Sequence, residues 1–402
     1  MSGPLTGFKV LDLSAVVSGP LAATLLADQG AEVIKVERLE GDIQRHVGSN
    51  RNGFSGLFHV LNRGKRSIAL DLGHHEGQGI VKRLAASSDV VIQNFRPGVV
   101  DRLGVGYDTL RADNPGLVYL SISGFGQNGP RADERAYDPI IQFYSGIAAV
   151  QGRIDKDNPD QPQQVNQLIL DKLTAYNGCQ AITAGLLARS KTGKGQHIEL
   201  SMLDVAIAFL WSDAAADQIL LGDDDIVARP PIGAAGSVVH YTDGWGATMT
   251  LSDHEFAGLC RAYGFPEVAD DPRFATMAER IKHRTEYAKV MREQVFPAAA
   301  KLSIAEAGAR LKAQDVPFAS ARRLEELPED EQIQHNEMFR ELDHPIAGRL
   351  RDARSAPRFL GTPAAPGGPA PEVGQHTREI LAEIGYAEAI DELLEAGVVH
   401  AS

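Results

Sequence analysis

Residues 8–37, FKVLDLSAVVSGPLAATLLADQGAEVIKVE, decide the fold. FKVLDL (8–13) is a short apolar run of strand type. GPLAATLLADQG (19–30) reads as a helix with Pro20 in its first turn and Gly30 closing it. AEVIKVE (31–37) is the next strand. Strand, helix and strand within thirty residues make one right-handed crossover unit of a parallel sheet. The cycle continues with SIALDL (67–72), a helix over about 76–87, DVVIQN (89–94), a helix pair to about 113, and LVYLSIS (117–123). Such alternation predicts an α/β fold: a Rossmann-like, doubly wound parallel sheet forming a large domain.

Folds of this kind bind ligands beyond the carboxyl ends of their strands. The segments there are SAVVSG, RLEGD, LDLG, NFRPG and SGFGQNGP, rich in Gly, Asn and Arg and suited to a phosphorylated ligand. None matches GxGxxG or GxxxxGK[ST], so ordinary nicotinamide and P-loop chemistry are not indicated.

Past residue 225 the pattern changes. GSVVHYTDGWGATMTLS (236–252) reads as a hairpin turning at TDGW, with helices at about 253–263, 280–295 and 303–313. A smaller α+β domain over 225–330 is expected, with 1–224 and 331–402 forming the large one. PRFLGTPAAPGGPAPEVG (357–374) is a Pro/Gly-rich connector, and a helical stretch follows it.

The 402 residues carry a net charge of -13, which gives a nucleic-acid role little support. Two cysteines without CxxC spacing and an N-terminal segment lacking a leader pattern lead us to expect a reduced, cytoplasmic setting. No apolar run approaches the length of a membrane span, so no membrane partner is expected. The twelve histidines lack metal-ligand spacing, and no metal site is expected. The pair at 74–75 falls under that reading. His240 reads as a satisfied surface or core residue before it reads as a site residue.

One acid stands out. In NQLILDKLTAYNGCQAITAGLLAR (166–189), Asp171 is the single carboxylate, at the head of a helical face marked by Leu173, Tyr176, Cys179, Ile182 and Leu186. Asp171 reads either as an N-cap or as a carboxylate nucleophile toward an activated acyl group.

Several segments together resemble the family III CoA-transferases, which include formyl-CoA transferase and carnitine CoA-transferase. They are residues 10–37, NRGKRSIALDL (62–72), NFRPGVVDRLGVGYDTL (94–110), AYDPIIQFYSG (136–146) and SKTGKGQHIELSMLD (190–204). The resemblance implies an interlocked homodimer, acyl-CoA and carboxylic acid as substrates, and no permanently bound cofactor. It implies Asp171 as the catalytic residue, about twenty residues before the KTGKGQ segment. It also implies contacts to coenzyme A from Val16, Arg38, Leu70, Asn94, Phe95 and Arg102, with Tyr137 near the thioester and Arg135 in place of a lysine. Each has a plainer reading: a surface ion pair for Arg38, a turn for Asn94, packing for Val16, Leu70 and Phe95. Lys65 and Arg66 read as structural or surface residues.

Ala15 and Val17 replace a histidine and a glutamine of formyl-CoA transferase, and PPIGAAGSVVHY (230–241) lacks its glycine run. Both departures point away from formate and oxalate and toward a larger or less polar acyl group. The α-methylacyl-CoA racemases are the alternative. They place a histidine where this chain has Tyr137, and they need a second acid/base group.

Overall fold

The structure is a computed structural model. It describes all residues except 1–2, 153–160, 223–225, 227–231 and 365–366. It divides into two compact units, Met1–Leu210 with Gln334–Ser402, and Trp211–Ile333. The expected boundary at 224/225 lies outside the described residues, as do Pro230 and Pro231 of the 230–241 segment.

In the first unit, β1 (Lys9–Asp12) leads into α1 (Ser18–Asp28) and β2 (Glu32–Glu37). A short pair, β3 (Asn50–Arg51) and β4 (Phe54–Ser55), precedes α2 (Gly56–Asn62). Next come β5 (Arg66–Leu70), α3 (His75–Ala86), β6 (Val90–Gln93), α4 (Val99–Arg102), α5 (Tyr107–Asp113) and β7 (Val118–Ser123). The elements α6 (Asp138–Tyr144), α7 (Ile147–Gly152), α8 (Ile169–Thr192), β8 (Gln196–Ser201) and α9 (Met202–Trp211) complete the first pass. β9 (Ser237–Tyr241), β10 (Gly244–Thr248) and β11 (Phe318–Ser320) belong to the second unit. The chain then returns through β12 (Phe339–His344), β13 (Gly348–Ala353) and β14 (Val399–His400).

Among the described residues the central sheet runs β14-β5-β2-β1-β6-β7-β8. All pairs are parallel except β14 with β5. Without β14 this is the order 3-2-1-4-5-6, which reverses between β1 and β6 and opens a crevice there. Burial explains the two-sided cover. Val10, Val33, Val90, Ile92, Val118 and Leu120 face α1 and α8 on one side. Leu11, Ile68, Val91 and Tyr119 pack on the other side with Ile80, Leu84, Leu110, Ile380 and Leu393.

Small residues let α8 approach closely. A side chain at Gly178 would meet Leu120 at 3.0 Å, and one at Gly185 would meet Val118 at 3.0 Å. The buried apolar area of such a sheet supplies the main stabilisation, about 25 cal/mol per Å².

The second unit holds the sheet β11-β10-β9. Its helices Asp253–Ala262 and Ile304–Ala313 each begin with a Ser/Glu capping box. Phe256, Leu259, Val295 and Leu311 pack with Tyr241 into its core. The helix expected over 280–295 is interrupted at His283 and ends in a π-type turn over Met291–Val295. No helix among the described residues is long and apolar enough to cross a membrane.

Candidate active site

A cleft of about 1050 Å³ opens beyond the carboxyl ends of β1, β2, β5 and β6. Val16, Arg38, Leu70 and Phe95 line it together. So does Arg96, which the sequence reading passed over. The signal for Arg96 was present in NFRPG, one residue past the expected pair. Arg38 and Arg96 are exposed, and among the described residues neither makes an ion pair. Arg45, by contrast, is committed to Glu37 at 2.6 Å and lies over the Phe58 ring.

The wall formed by residues 14–17 is pinned from several directions. Asp12 accepts from the Ser14 N–H at 3.0 Å and from its hydroxyl. Lys35 Nζ donates to the Ser14 carbonyl at 3.0 Å and pairs with Asp42 at 3.1 Å. Asn94 accepts from the Ala15 N–H at 2.9 Å and donates to the Ala15 carbonyl at 2.7 Å. Asp42 accepts from the Val16 N–H at 3.3 Å. Val16 sits at φ 71°, a left-handed conformation that a β-branched residue adopts only under constraint.

Lys65 and Arg66 are structural. Lys65 is fully buried and donates to Asp12, Asn62 and the Pro20 carbonyl, at 2.8 to 2.9 Å. Burial brings its ammonium down to about 8 although Asp12 opposes the shift. Burial also disfavours the Asp12 carboxylate, but Lys65 and Lys35 outweigh it and hold that group below its ordinary range. Arg66 bonds Glu32, Glu379 and Glu383.

Asp171 does not cap its helix, which corrects the N-cap reading. It is the third residue of α8, and Leu168, at the cap position, offers no side-chain bond. The acceptor comes from α6 instead. Buried Asp138 accepts the Leu170 N–H at 2.6 Å and the Asp171 N–H at 2.9 Å through one oxygen. Its other oxygen takes the Gln142 amide at 2.6 Å.

The Asp171 side chain is 91% shielded, at 9% exposure. Burial first, and the neighbouring Asp138 carboxylate second, push its carboxyl up to about 7. The Ser18 hydroxyl and backbone N–H, at the start of α1, pull the other way. Asp171 does not itself line the cleft. A single loop joins the two places: Val16 faces the cleft and Ser18, two residues on, faces the acid.

The remaining expected residues scatter. Asn94 acts on the loop. Arg102 is exposed on α4, between the cleft-lining Val99 and Leu103. Arg135 and Tyr137 are exposed just before Asp138, outside the cleft lining. Val17 is buried at the entry to α1, while Ala15 lines the cleft. His74 caps α3 through its ring nitrogen, and His240 packs on Trp245 across the β9–β10 hairpin. Among the described residues no cluster of three His, Cys, Asp or Glu side chains could hold a metal ion.

Residues 5–377 match the family described as CoA-transferase family III. The chain is 33% identical to the succinate–glutarate CoA-transferase of Agrobacterium fabrum, covering 96% of each chain. It is 35% identical to the succinyl-CoA:glutarate CoA-transferase of Mus musculus, covering 98% of this chain and 90% of that one. Among solved structures it resembles a CAIB/BAIF family protein from Brucella suis, with TM-score 0.79 and 32% identity over 96% of this chain and 100% of that one.

Proposed function

The chain belongs to CoA-transferase family III and is a transferase, and from that premise we propose that Asp171 carries CoA from an acyl-CoA donor to a free carboxylic acid. The observation that carries this reading is the Asp171 carboxyl itself. It is shielded, held by Ser18 at a helix N-terminus, and one loop away from a phosphate-suited cleft.

The proposed sequence balances without an external reagent. The Asp171 carboxylate attacks the thioester carbonyl of the donor, and CoA thiolate leaves, giving a mixed anhydride. The thiolate attacks the aspartyl carbonyl and expels the donor acid, leaving an aspartyl-CoA thioester. The incoming carboxylate attacks that thioester, the thiolate leaves again, and its attack on the new acyl carbonyl forms the product and frees Asp171. Each step exchanges one activated carboxyl for another, so the thioester free energy is conserved.

Arg38 and Arg96 are proposed to take the CoA phosphates, with Val16, Leu70 and Phe95 as apolar walls. Arg102, at the rim of the same helix as Val99, is proposed to add charge, and Arg135 and Tyr137 are proposed to approach the acyl end. For the acids we propose four- and five-carbon dicarboxylates, because the relatives above are named for succinate and glutarate.

A homodimer and a cytoplasmic setting belong to the same reading. The dimer is supported by α6, which leaves Ile140, Phe143 and Tyr144 more than half exposed on a seven-residue helix. Incubation with succinyl-CoA, addition of hydroxylamine and mass spectrometry test the mechanism. A hydroxamate on Asp171 is expected. CoA exchange between succinate and glutarate without any modification of Asp171 would refute it. So would solvent deuterium entering the α-carbon in place of exchange.

A further inference from the structure

The first turn of α8 holds an arrangement that the proposed chemistry does not by itself require. Four N–H groups at a helix start lack intrahelical acceptors. Here Leu168, at the cap position, offers none from its side chain. The acceptor is brought from another element, the Asp138 carboxylate at the start of α6. That carboxylate is 1% exposed and both its oxygens are used.

One of the N–H groups it takes belongs to Asp171. We propose that Asp138 is a positioning residue, which anchors the backbone of Asp171 from α6 and so fixes where the Asp171 carboxyl lies relative to Ser18. The proposal rests on Asp171 being the nucleophile.

A neutral N-cap would satisfy these donors equally well and would not place a second buried negative charge beside a carboxyl that must ionise. A carboxylate here has a second effect. It holds the nearby Asp171 protonated to a higher pH, acting after burial in the same direction. The groups facing Asp171 are Asp138 from α6 and Ser18 from α1. Lys172, the next residue, turns its ammonium to the Gln167 side chain at 2.7 Å. Tyr137 is exposed.

Asparagine cannot reproduce the anchor. One oxygen of Asp138 receives two backbone donors and the other receives the Gln142 amide, while the Gln142 carbonyl oxygen is already committed to the Val165 N–H at 2.8 Å. An amide group at position 138 must therefore face a donor on one side or the other.

The test uses Asp138→Asn in the 402-residue protein, and Asp138→Asn with Leu168→Ser, which returns a neutral capping side chain to the helix's own N-terminus. The Asp171 carboxyl is titrated directly by carbodiimide labelling across pH, read by mass spectrometry, and succinyl-CoA turnover is measured beside it. In Asp138→Asn the labelling midpoint is expected to move toward acid by about 1 pH unit. The kcat is expected to fall by about tenfold or more, with the KM for succinyl-CoA changed by less than about twofold. In the double variant, thermal stability returns while the midpoint stays displaced.

An unchanged midpoint together with parental kcat, in either variant, overturns the proposal. So does a loss of thermal stability alone with kcat intact. Labelling needs no turnover, so the two readings fail separately. A parent protein that transfers no CoA sinks the transferase mechanism, while a displaced midpoint in Asp138→Asn still shows the two carboxyls coupled. Transfer through Asp171 that ignores position 138 sinks the anchor alone.

Discussion

Replacing Asp171 by Asn should abolish CoA transfer and yet make the protein more stable, by an amount that depends on pH. The carboxyl stands at about 7 in the folded chain, against an ordinary value of 3.8, with burial as the leading cause. Between those two values the folded state holds a proton that the unfolded chain has released. Stability therefore falls as pH rises from about 4 to about 7, and levels off above that. The full difference corresponds to about 4 kcal/mol at pH 8.5. At pH 5 only the first part has accumulated, about 1.5 kcal/mol.

An asparagine copies the neutral acid in shape and carries no charge to desolvate. Asp171→Asn should accordingly gain about 2.5 kcal/mol more over the parent at pH 8.5 than at pH 5. Urea unfolding at both pH values, at one fixed protomer concentration, measures this difference through the midpoint and slope. Equal gains at the two pH values, or a loss at pH 8.5, would mean that the acid is solvated and that burial does not set its ionisation.

Three further outcomes follow from the same geometry. Ser18→Ala removes a donor that favours the Asp171 carboxylate, so the acid limb of the pH–rate profile should move toward higher pH, the reverse of the shift expected for Asp138→Asn. Arg38→Ala and Arg96→Ala should each raise the KM for acyl-CoA by about tenfold or more with little change in kcat, if each makes the charge-assisted phosphate contact proposed for it, and steady-state kinetics at two salt concentrations reads this. Val16→Gly relieves a left-handed β-branched residue and removes an apolar wall. Its melting temperature should hold or rise while the KM for acyl-CoA rises, and a clear drop in melting temperature would refute the strain at φ 71°.

The parallel sheet was legible because its strands are buried on both faces and read as continuous apolar runs. Val90–Gln93 and Val118–Ser123 are buried throughout. The hairpin of β12 and β13 was not legible. Its strands, FRELDH and GRLRDA, carry charge at half of their positions, and most of those residues are not buried. Its docking is part polar and part apolar: Asp352 is buried against His59 of α2 at 2.8 Å, and Leu350 packs with Phe54 and Phe58. β14 is two residues long, and only its pairing with Leu70 and Ala69 makes it a strand.

At the site, Arg38, Val16, Leu70 and Phe95 were named through the resemblance, and the structure gathers all four in one cleft, Arg38 directly after β2 and Leu70 at the end of β5. Asp138 was not legible. In AYDPIIQFY it looks like an acid in the first turn of its own helix, beside Pro139. Its partners, Leu170 and Asp171, lie more than thirty residues on, and no local pattern reports a bond of that span.

The strand order accounts for how one short loop can serve both the cleft and the acid. β1 lies between β2 and β6, so the loop leaving β1 has a neighbour on each side. Lys35, on β2, reaches the Ser14 carbonyl from one side, and Asn94, just past β6, takes both backbone groups of Ala15 from the other. Asp12 and Asp42 accept the N–H groups of Ser14 and Val16. A strained residue persists only where its surroundings over-determine it, and here they do so from three strand ends.

The consequence is mechanical. Val16 and Ser18 belong to one pinned loop, so under the proposed mechanism an acyl-CoA seated against Val16 would meet a carboxyl whose place was set before binding. Such preorganisation makes a weak nucleophile effective, because the orientation need not be found anew at each turnover. It also explains why the support is ionic. Removing any one partner from the Asp12, Lys35, Asp42 and Lys65 group leaves a buried charge uncompensated, at about 3–5 kcal/mol, so the loop cannot loosen without the sheet end beneath it giving way.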